Sequence, residues 1–576
     1  MGEETRLSIA YGLPLAEEAG IGALTIGGYL REVAGRYRSA EAVVLRGGGT
    51  RLTWSYDELL ARSLEVARAL IGCGMGKDAR VGILMTNRPE FLSALFGVAL
   101  AGGVPVALST FSTAPELDAM LKASQVSVLL FESRVLKCDF HAMLCELEPM
   151  IADQAPGALR SARFPFLARL VALGGVPGGV ESREAATGGA VESWEAFLAQ
   201  GAGVSDAQVF ARADSVVPSD TGGIFFSSGT TSQPKGIVHS QRAFAIQWWR
   251  WPQTFCMREP VRAWTGNGFF WSGNVSMVVG SALSTGGTVV LQRTFEAEEA
   301  LALFESERLN FINGRPHQWA RLQTTANWHR VDLSSLRYIP RGELIWEHPT
   351  VQTDWDVPMA FGTTETMTVC TGYSADTPAE HYRGSMGPPL PGNVVKMVDQ
   401  DTGAVVPMGM IGEFCVKGPT LMSGYLGKAP EDCFDAEGFY HTGDGGYIDE
   451  EGRFFWSGRL TDMIKTGGAN VAPLEVDEVI ARYPGVKRTQ TVGVPDRLMG
   501  ELVVACVVPV DGAILEEEAM RAFVRQSVAS FKVPRRVLFF TDADYALTGN
   551  EKIKTSDLRA LAVRRLEAEM AGAGRP

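Results

Sequence analysis

The sequence lacks the signatures that would place it at once. Its 8 cysteines are scattered and none forms a CxxC pair, so neither a disulfide framework nor a zinc site is indicated, and the thiols are expected to be reduced and mostly buried. Positive charge is in deficit: the formal net charge is -13, which argues against broad adhesion to DNA, RNA or an anionic membrane. No nucleic-acid partner is therefore expected. A clean membrane-spanning run is missing too. The stretch 91–108 carries no charge, but Gly102, Gly103 and Pro105 interrupt it, which predicts a buried helix turning into a buried strand. The acidic opening Met1-Gly2-Glu3-Glu4-Thr5-Arg6 leads into no continuous apolar segment, unlike a secretory signal, so a cytoplasmic location is expected. There is no internal repeat.

What is present is a long chain of ordinary globular composition. At 576 residues, 46% hydrophobic and 21% charged, it exceeds the usual domain size several-fold, and at least two packed units are expected. From 42 to 108, short apolar runs alternate with helical stretches: 42–45, a helix over 56–72, a run at 80–85 and a helix over 89–100. That alternation predicts parallel α/β layers. It resumes at 116–124 and 126–131, whereas the Gly-rich interval 156–189 reads as a surface insertion. Residues 384–455 become short strands with Gly/Pro turns, a β-rich subdomain. Beyond Gly458, a helix over 474–483, strands over 489–494 and 502–510 and a helix over 516–530 predict a compact α+β domain. The fold class expected is α/β. A large N-terminal domain of parallel α/β layers with a β-rich subdomain occupies 1–458, and a small α+β C-terminal domain occupies 459–576.

Apolar residues at 215–226 lead into Ser227-Ser228-Gly229-Thr230-Thr231-Ser232-Gln233-Pro234-Lys235-Gly236, and 240–251 reads as a helix. A strand-loop-helix frame around this loop is expected. The loop supplies hydroxyls, backbone N–H groups beside Gly229 and Gly236, and one cation, Lys235, which together suit a polyphosphate. A Walker spacing, GxxxxGK followed by Ser or Thr, does not occur, and a Ser/Thr-Gly run alone is more often a surface turn.

Four further segments follow in order: Phe361-Gly362-Thr363-Thr364-Glu365, residues 412–426, Tyr440-His441-Thr442-Gly443-Asp444, and Gly458-Arg459-Leu460-Thr461-Asp462-Met463-Ile464-Lys465 with Gly467 and Gly468. With 226–236 they resemble the acyl-adenylate-forming superfamily, which includes acyl-CoA synthetases, firefly luciferase and the adenylation domains of peptide synthetases. The similarity spans nearly the whole chain. The resemblance implies an acid:coenzyme A ligase using ATP, Mg2+ and CoA. A carboxylate attacks the α-phosphate to give an acyl-adenylate and pyrophosphate, and a thiol then displaces AMP. Charge that builds on phosphate oxygens calls for donors, a metal and a positive side chain.

Carried onto this sequence, the resemblance implies that Thr230, Thr231 and Lys235, with Ser227, Ser228 and Gly229, hold the triphosphate. Glu365 would ligate Mg2+ beside Thr364, a hard oxygen suiting that ion. Phe361 would stack on adenine where the family has Tyr, with Gly342, Glu343, Gly362 and Thr363 completing the nucleotide pocket. Asp444 and Arg459 would bind the ribose hydroxyls. The C-terminal domain would rotate about Thr461, bringing Lys552 for adenylation, alongside Thr231 and Glu365, and the Gly467, Gly468 and Ala469 hairpin for the pantetheine arm, where missing side chains leave room. Phe270 and Trp271, with Gly314, His317 and Phe361, would line the acyl pocket; the Trp version resembles ligases of fatty, alicyclic, steroid- or terpenoid-like acids. Lys487, Arg488, Lys532, Arg535 or Arg536 would meet the CoA 3′-phosphate.

Several positions depart from the family. Ser232 replaces a Gly of the phosphate loop, Arg341-Gly342-Glu343-Leu344 replaces a small-residue adenine loop, Thr461 stands at the hinge where Asp or Lys is usual, Tyr545-Ala546-Leu547 lacks a Pro, and Glu551 precedes Lys552 in place of Gly. A carboxylate beside Lys552 can pair with it. Most departures touch adenylation, which yields a sharper expectation: a weakened adenylation step with thiolysis of a supplied acyl-AMP retained. The competing readings are a stand-alone adenylation enzyme that loads a carrier protein and a nucleotide-binding pseudoenzyme scaffold. The expected partners are a small carboxylic acid, ATP or acyl-AMP, and CoA, in a monomer or homodimer.

Overall fold

The computed structural model describes residues 6–47, 50–175, 185–227, 234–382, 384–466, 469–496, 499–528, 532–545 and 555–573. Two compact units result: Tyr11–Val394 with Val416–Tyr440, and the described residues of Met1–Ala10, Val395–Cys415 and His441–Pro576. The first is built on two sheets. One runs in the order Val191–Ser193, Arg169–Leu173, Val128–Glu132, Arg80–Leu84, Val104–Ala107, Thr221–Ser227, Lys235–Ser240, Gly424–Tyr425. Its first six strands are parallel and the last two pairings antiparallel. The other runs Phe311–Asn313, Arg262–Thr265, Thr288–Leu291, Glu41–Gly47, Thr50–Ser55, parallel up to a closing antiparallel hairpin.

Parallel strands covered on both faces must be apolar on both, which is why these runs read as continuous rather than alternating. Val81 and Ile83 of one sheet, and Val43, Leu45, Val289 and Leu291 of the other, share a core with helices Ile26–Tyr37, Tyr56–Gly72, Pro89–Leu100 and Gln241–Thr254. Alternate residues of the same two sheets face outward: Leu129 and Phe131, flanking the inward Leu130, pack on Ala114–Ser124 and Phe140–Leu147, and Val44 and Val290 on Ala297–Ser306 and Pro316–Gln323. The unit is thus five layers, helices between and outside two sheets. The uncharged stretch at 91–108 is the central helix, buried on every side, followed by the buried strand Val104–Ala107. Among the described residues no helix is long and apolar enough to cross a membrane.

Local chemistry sets the helix starts. Ser55 caps Tyr56–Gly72 in a capping box with Glu58, and Pro89 occupies the first turn of Pro89–Leu100, where its missing N–H costs nothing. Two expectations are corrected. The interval 156–189 is not all surface insertion: Arg169–Leu173 is an interior strand between Val128–Glu132 and Val191–Ser193, with Leu170, Val171 and Ala172 fully buried. Five residues between Gly-rich flanks were too short to stand out by composition. The residues after the Ser/Thr/Gly loop form a strand before the helix. Lys235–Ser240 pairs antiparallel with Thr221–Ser227, and the helix begins only at Gln241. The helix N-terminus therefore lies roughly 20 Å along the strand from Lys235, too far to act on a phosphate beside that residue.

The second unit carries a five-stranded sheet, Ile9–Tyr11, Val394–Val398, Gly412–Lys417, Tyr440–Ile448 and Phe454–Arg459, as the Gly/Pro-punctuated sequence predicts. Beyond it Ala469–Val471, Ile464–Thr466, Gly500–Pro509 and Val486–Asp496 form a second sheet, with Arg536–Phe539 beside Gly500–Pro509. Helices Pro473–Ile480 and Glu517–Val524 cover one face and Thr555–Ala573 the other.

At the C-terminal ends of two central parallel strands sits a buried charge cluster. Glu132, 1% exposed, accepts from Arg88 (2.9 Å), Arg293 (2.6 Å) and the Thr86 N–H and hydroxyl (2.6 and 2.7 Å). Burial works to raise this carboxyl, but the two guanidinium charges overcome it and hold it below its ordinary value. Glu132→Ala would strand two arginines, and a loss of about 3–5 kcal/mol in urea unfolding at neutral pH is expected. Because the folded value is depressed, the contribution is complete above the ordinary carboxylate range and fades as pH falls through the folded value; a pH-independent difference between the two proteins would contradict it.

Candidate functional site

In the first unit the hairpin strand Lys235–Ser240 lies between Thr221–Ser227 and the edge strand Gly424–Tyr425. Ser227 pairs with Lys235, and Ile237 with Tyr425. Side chains two apart on a strand share a face, so Lys235 and Tyr425 are diagonal neighbours; the Lys235 ammonium stands 5.7 Å from the Tyr425 ring centroid. The Tyr425 hydroxyl donates to the Glu365 carboxylate at 2.8 Å and lies 2.9 Å from the Tyr440 hydroxyl.

Glu365 sits on the short turn Thr364–Thr366, and the backbone around it is held from two sides. The Met422 N–H donates to the Glu365 carbonyl at 2.7 Å, and His239 Nε2 contacts the Thr364 carbonyl at 2.8 Å. Burial pushes the His239 imidazole down to about 4, so the ring is neutral at working pH and its one N–H is the donor in this contact. Among the described residues no cation pairs with Glu365 in an ion pair. Its carboxylate is half-buried, and its hard oxygens suit Mg2+.

Phe361, 8% exposed, precedes a tight turn that closes on itself. Met367 and Thr368 have φ of 49° and 94°, strained for residues with a Cβ, and a Cβ on Gly362 would fall 1.5 Å from the Thr368 carbonyl oxygen. The Thr368 hydroxyl reaches Ser276 at 3.3 Å, which lies in the π-helical turn Val275–Val279, a form frequent at functional sites. Phe270 and Trp271 come just before it, their ring centroids 5.5 Å apart, in a loop pinned by Asn274 to the Gly268 carbonyl (3.0 Å) and by Asn87 to the Asn267 carbonyl (2.8 Å). The 361–368 and 269–276 segments are thereby joined. Gly314, His317, Gly342 and Glu343 flank another element. Gly314 faces the Trp319 ring and His317 is exposed in the first turn of Pro316–Gln323. Gly342 has φ 90°, and burial raises the Glu343 carboxyl.

In the second unit Asp444 and Arg459 are paired across neighbouring strands, 3.2 Å apart. Asp444 is 2% exposed and also accepts from Trp456 Nε1 at 3.0 Å; Arg459 donates to the Thr442 carbonyl at 2.7 Å. Glu413 shapes the turn before Asp444, accepting from the Gly443 N–H at 3.0 Å and meeting His441 Nδ1 at 3.0 Å. Thr461 falls in the turn Leu460–Asp462 and Ala469 opens the strand Ala469–Val471. Glu501 supports that hairpin by accepting from the Lys465 N–H at 2.8 Å. Ser228, Gly229, Thr230, Thr231, Ser232, Gly467, Gly468, Glu551 and Lys552 lie outside the described residues.

Residues 30–426 match the model of the AMP-binding enzyme family, and 475–552 that of the AMP-binding enzyme C-terminal domain. The chain belongs to the AMP-binding enzyme family. A methyl-dioxo-octahydroindenyl propanoyl:CoA ligase of Mycobacterium tuberculosis is 32% identical over 82% of this chain and 87% of its own length. A feruloyl-CoA synthase of Amycolatopsis is 30% identical over 90% and 96%. ATP-bound MatB from Rhodopseudomonas palustris superposes with a TM-score of 0.71, covering 93% of this chain and 99% of that one at 23% identity, a likeness of fold.

For an AMP-binding enzyme the sequence had already singled out Lys235, Glu365, Asp444 and Arg459. It did not assign roles to Tyr425, Tyr440, His239 or Glu413. Tyr425, Tyr440 and Glu413 stand inside the resembling segments and could have been noticed there; His239 lies outside them and acts on a backbone carbonyl, a role that leaves no mark in sequence. Gly362→Ala should open the 361–368 turn. A stability loss of about 1–3 kcal/mol and a smaller thermal stabilisation by ATP are expected in a melting assay. An unchanged melt with a full ATP shift would contradict the account of that turn.

Proposed function

We propose that this AMP-binding enzyme is an acid:CoA ligase that converts a hydrophobic carboxylic acid to its CoA thioester through an acyl-adenylate. The observation that carries the reading is the convergence of Lys235 and Tyr425 on one sheet edge with the carboxylate of Glu365, which meets no cation in an ion pair among the described residues. A carboxylate oxygen of the acid attacks the α-phosphorus of ATP and pyrophosphate leaves; the CoA sulfur then attacks the acyl carbon and AMP leaves. Lys235 would offset charge on the transferring phosphates, Glu365 would hold Mg2+, which supplies further charge neutralisation when bound, and Asp444 with Arg459 would bind the ribose. Lys552 would serve adenylation from a C-terminal domain beginning at residue 459, with Thr461 as hinge.

Phe270 and Trp271 favour an apolar acid, and the relatives named for an octahydroindenyl propanoyl and a feruloyl group support a ring-bearing one. Among the basic candidates for the CoA 3′-phosphate, Lys487 pairs with Asp542, Lys532 with Glu475 and Arg536 with Glu517 and Glu569, and Arg488 lies over the Tyr545 ring. Arg535 is exposed, and we assign it that contact first.

A panel of ring-bearing and fatty acids, offered free with ATP and as synthetic adenylates, should yield pyrophosphate and CoA thioester from the same acid. Weakened adenylation predicts faster thioester formation from the supplied adenylate than from acid and ATP; equal rates would refute that refinement, and a carrier-protein thiol outcompeting CoA would favour the carrier-loading alternative. Lys552→Ala should cut pyrophosphate release about 100-fold or more while sparing thioester formation from acyl-AMP. Arg535→Ala should raise the KM for CoA about tenfold with pyrophosphate release unchanged, and should lose that effect with 3′-dephospho-CoA.

A further inference from the structure

We propose that Tyr425 is the positioning residue that holds Lys235 and Glu365 at a fixed separation, its ring engaging the lysine and its hydroxyl aiming the carboxylate. This rests on the functional reading above. The pairing of Ile237 with Tyr425 sets the aromatic ring one step along the same face from Lys235, and Lys428 meets that ring from its own side of the turn, also 5.7 Å from the centroid. Both cations are within the range where a ring face attracts them. A hydroxyl has one proton. With that of Tyr425 given to Glu365, Tyr440 must donate to Tyr425, which makes a one-way chain from Tyr440 through Tyr425 to the carboxylate.

The physical need for such a spacer is electrostatic. A lysine and a glutamate on adjoining elements attract each other, and an ion pair between them would neutralise the two charges that Mg2+ and the phosphates require. Tyr425 gives each charge a neutral partner instead. Backbone bonds fix it in place: Leu426 N–H to the Gly236 carbonyl at 2.8 Å and Ser423 N–H to the Val238 carbonyl at 2.7 Å.

Tyr425→Phe keeps the ring and removes the proton, whereas Tyr425→Leu removes both. With Mn2+ as probe, followed by electron paramagnetic resonance in the presence of ATP, Tyr425→Phe should weaken metal binding about fivefold while leaving the affinity for ATP in EDTA near that of the wild type. Tyr425→Leu should weaken both. In a Glu365→Gln background, Tyr425→Phe should have no further effect on Mn2+, a dependence that general loosening of the fold would not produce. Additive losses in the double variant, or unchanged Mn2+ affinity in Tyr425→Phe, would overturn the proposal. A wild-type chain that binds ATP in EDTA but gains nothing from the metal would overturn the metal role of Glu365, and the coupling with it; a chain that binds ATP with metal but releases no pyrophosphate with any acid would overturn the ligase reading alone.

Discussion

The antiparallel pairing of one short strand, Lys235–Ser240, with two neighbours is the constraint on which the first unit's site depends. On one side it returns along Thr221–Ser227, so Ser227 and Lys235 stand opposite each other at the end of the two strands. On the other it accepts Gly424–Tyr425, drawing in a segment nearly two hundred residues further along the sequence. His239, from the buried face of the same strand, reaches the carbonyl of Thr364. Three segments remote in sequence are thus indexed to one another by backbone register, and a one-residue slip would turn Lys235 and Tyr425 to opposite faces.

Much of the fold was legible because local signals agreed with packing. The helix over 56–72 has a capping box at its start and an apolar stripe along one face, and the helix over 89–100 is apolar all round because it is enclosed between two sheets. What failed were segments whose type tertiary pairing decides. Arg169–Leu173 has only five residues to declare itself, and Lys235–Ser240, divided between the end of the loop and the start of the helix, was not read as a strand because composition does not locate the end of a hairpin.

The site was legible in a different way. Glu365, Asp444 and Arg459 were singled out by resemblance to the motifs of the family. Tyr425, His239 and Glu413 escaped it because their chemistry is aimed at other protein groups. Such groups can be recognised only when distances are known: a neutral imidazole on a carbonyl, a phenol on a carboxylate, a carboxylate on a turn N–H.

Asp444 and Glu365 are held in opposite ways, and the difference suits what each is proposed to bind. Asp444 is nearly buried, with its side chain 3% exposed, and is met by the half-exposed Arg459; a ribose is neutral and needs an acceptor and a donor in a set geometry, so a paired carboxylate and guanidinium serve it without leaving uncompensated charge. A triphosphate with its metal needs net charge of both signs. There a pair would be wasteful, and Glu365 is instead oriented by an uncharged hydroxyl while the lysine rests against the face of the same ring. Neutral groups placed between opposite charges keep both available, at the cost of burying a tyrosine whose hydroxyl must be satisfied, which is the service that Tyr440 performs.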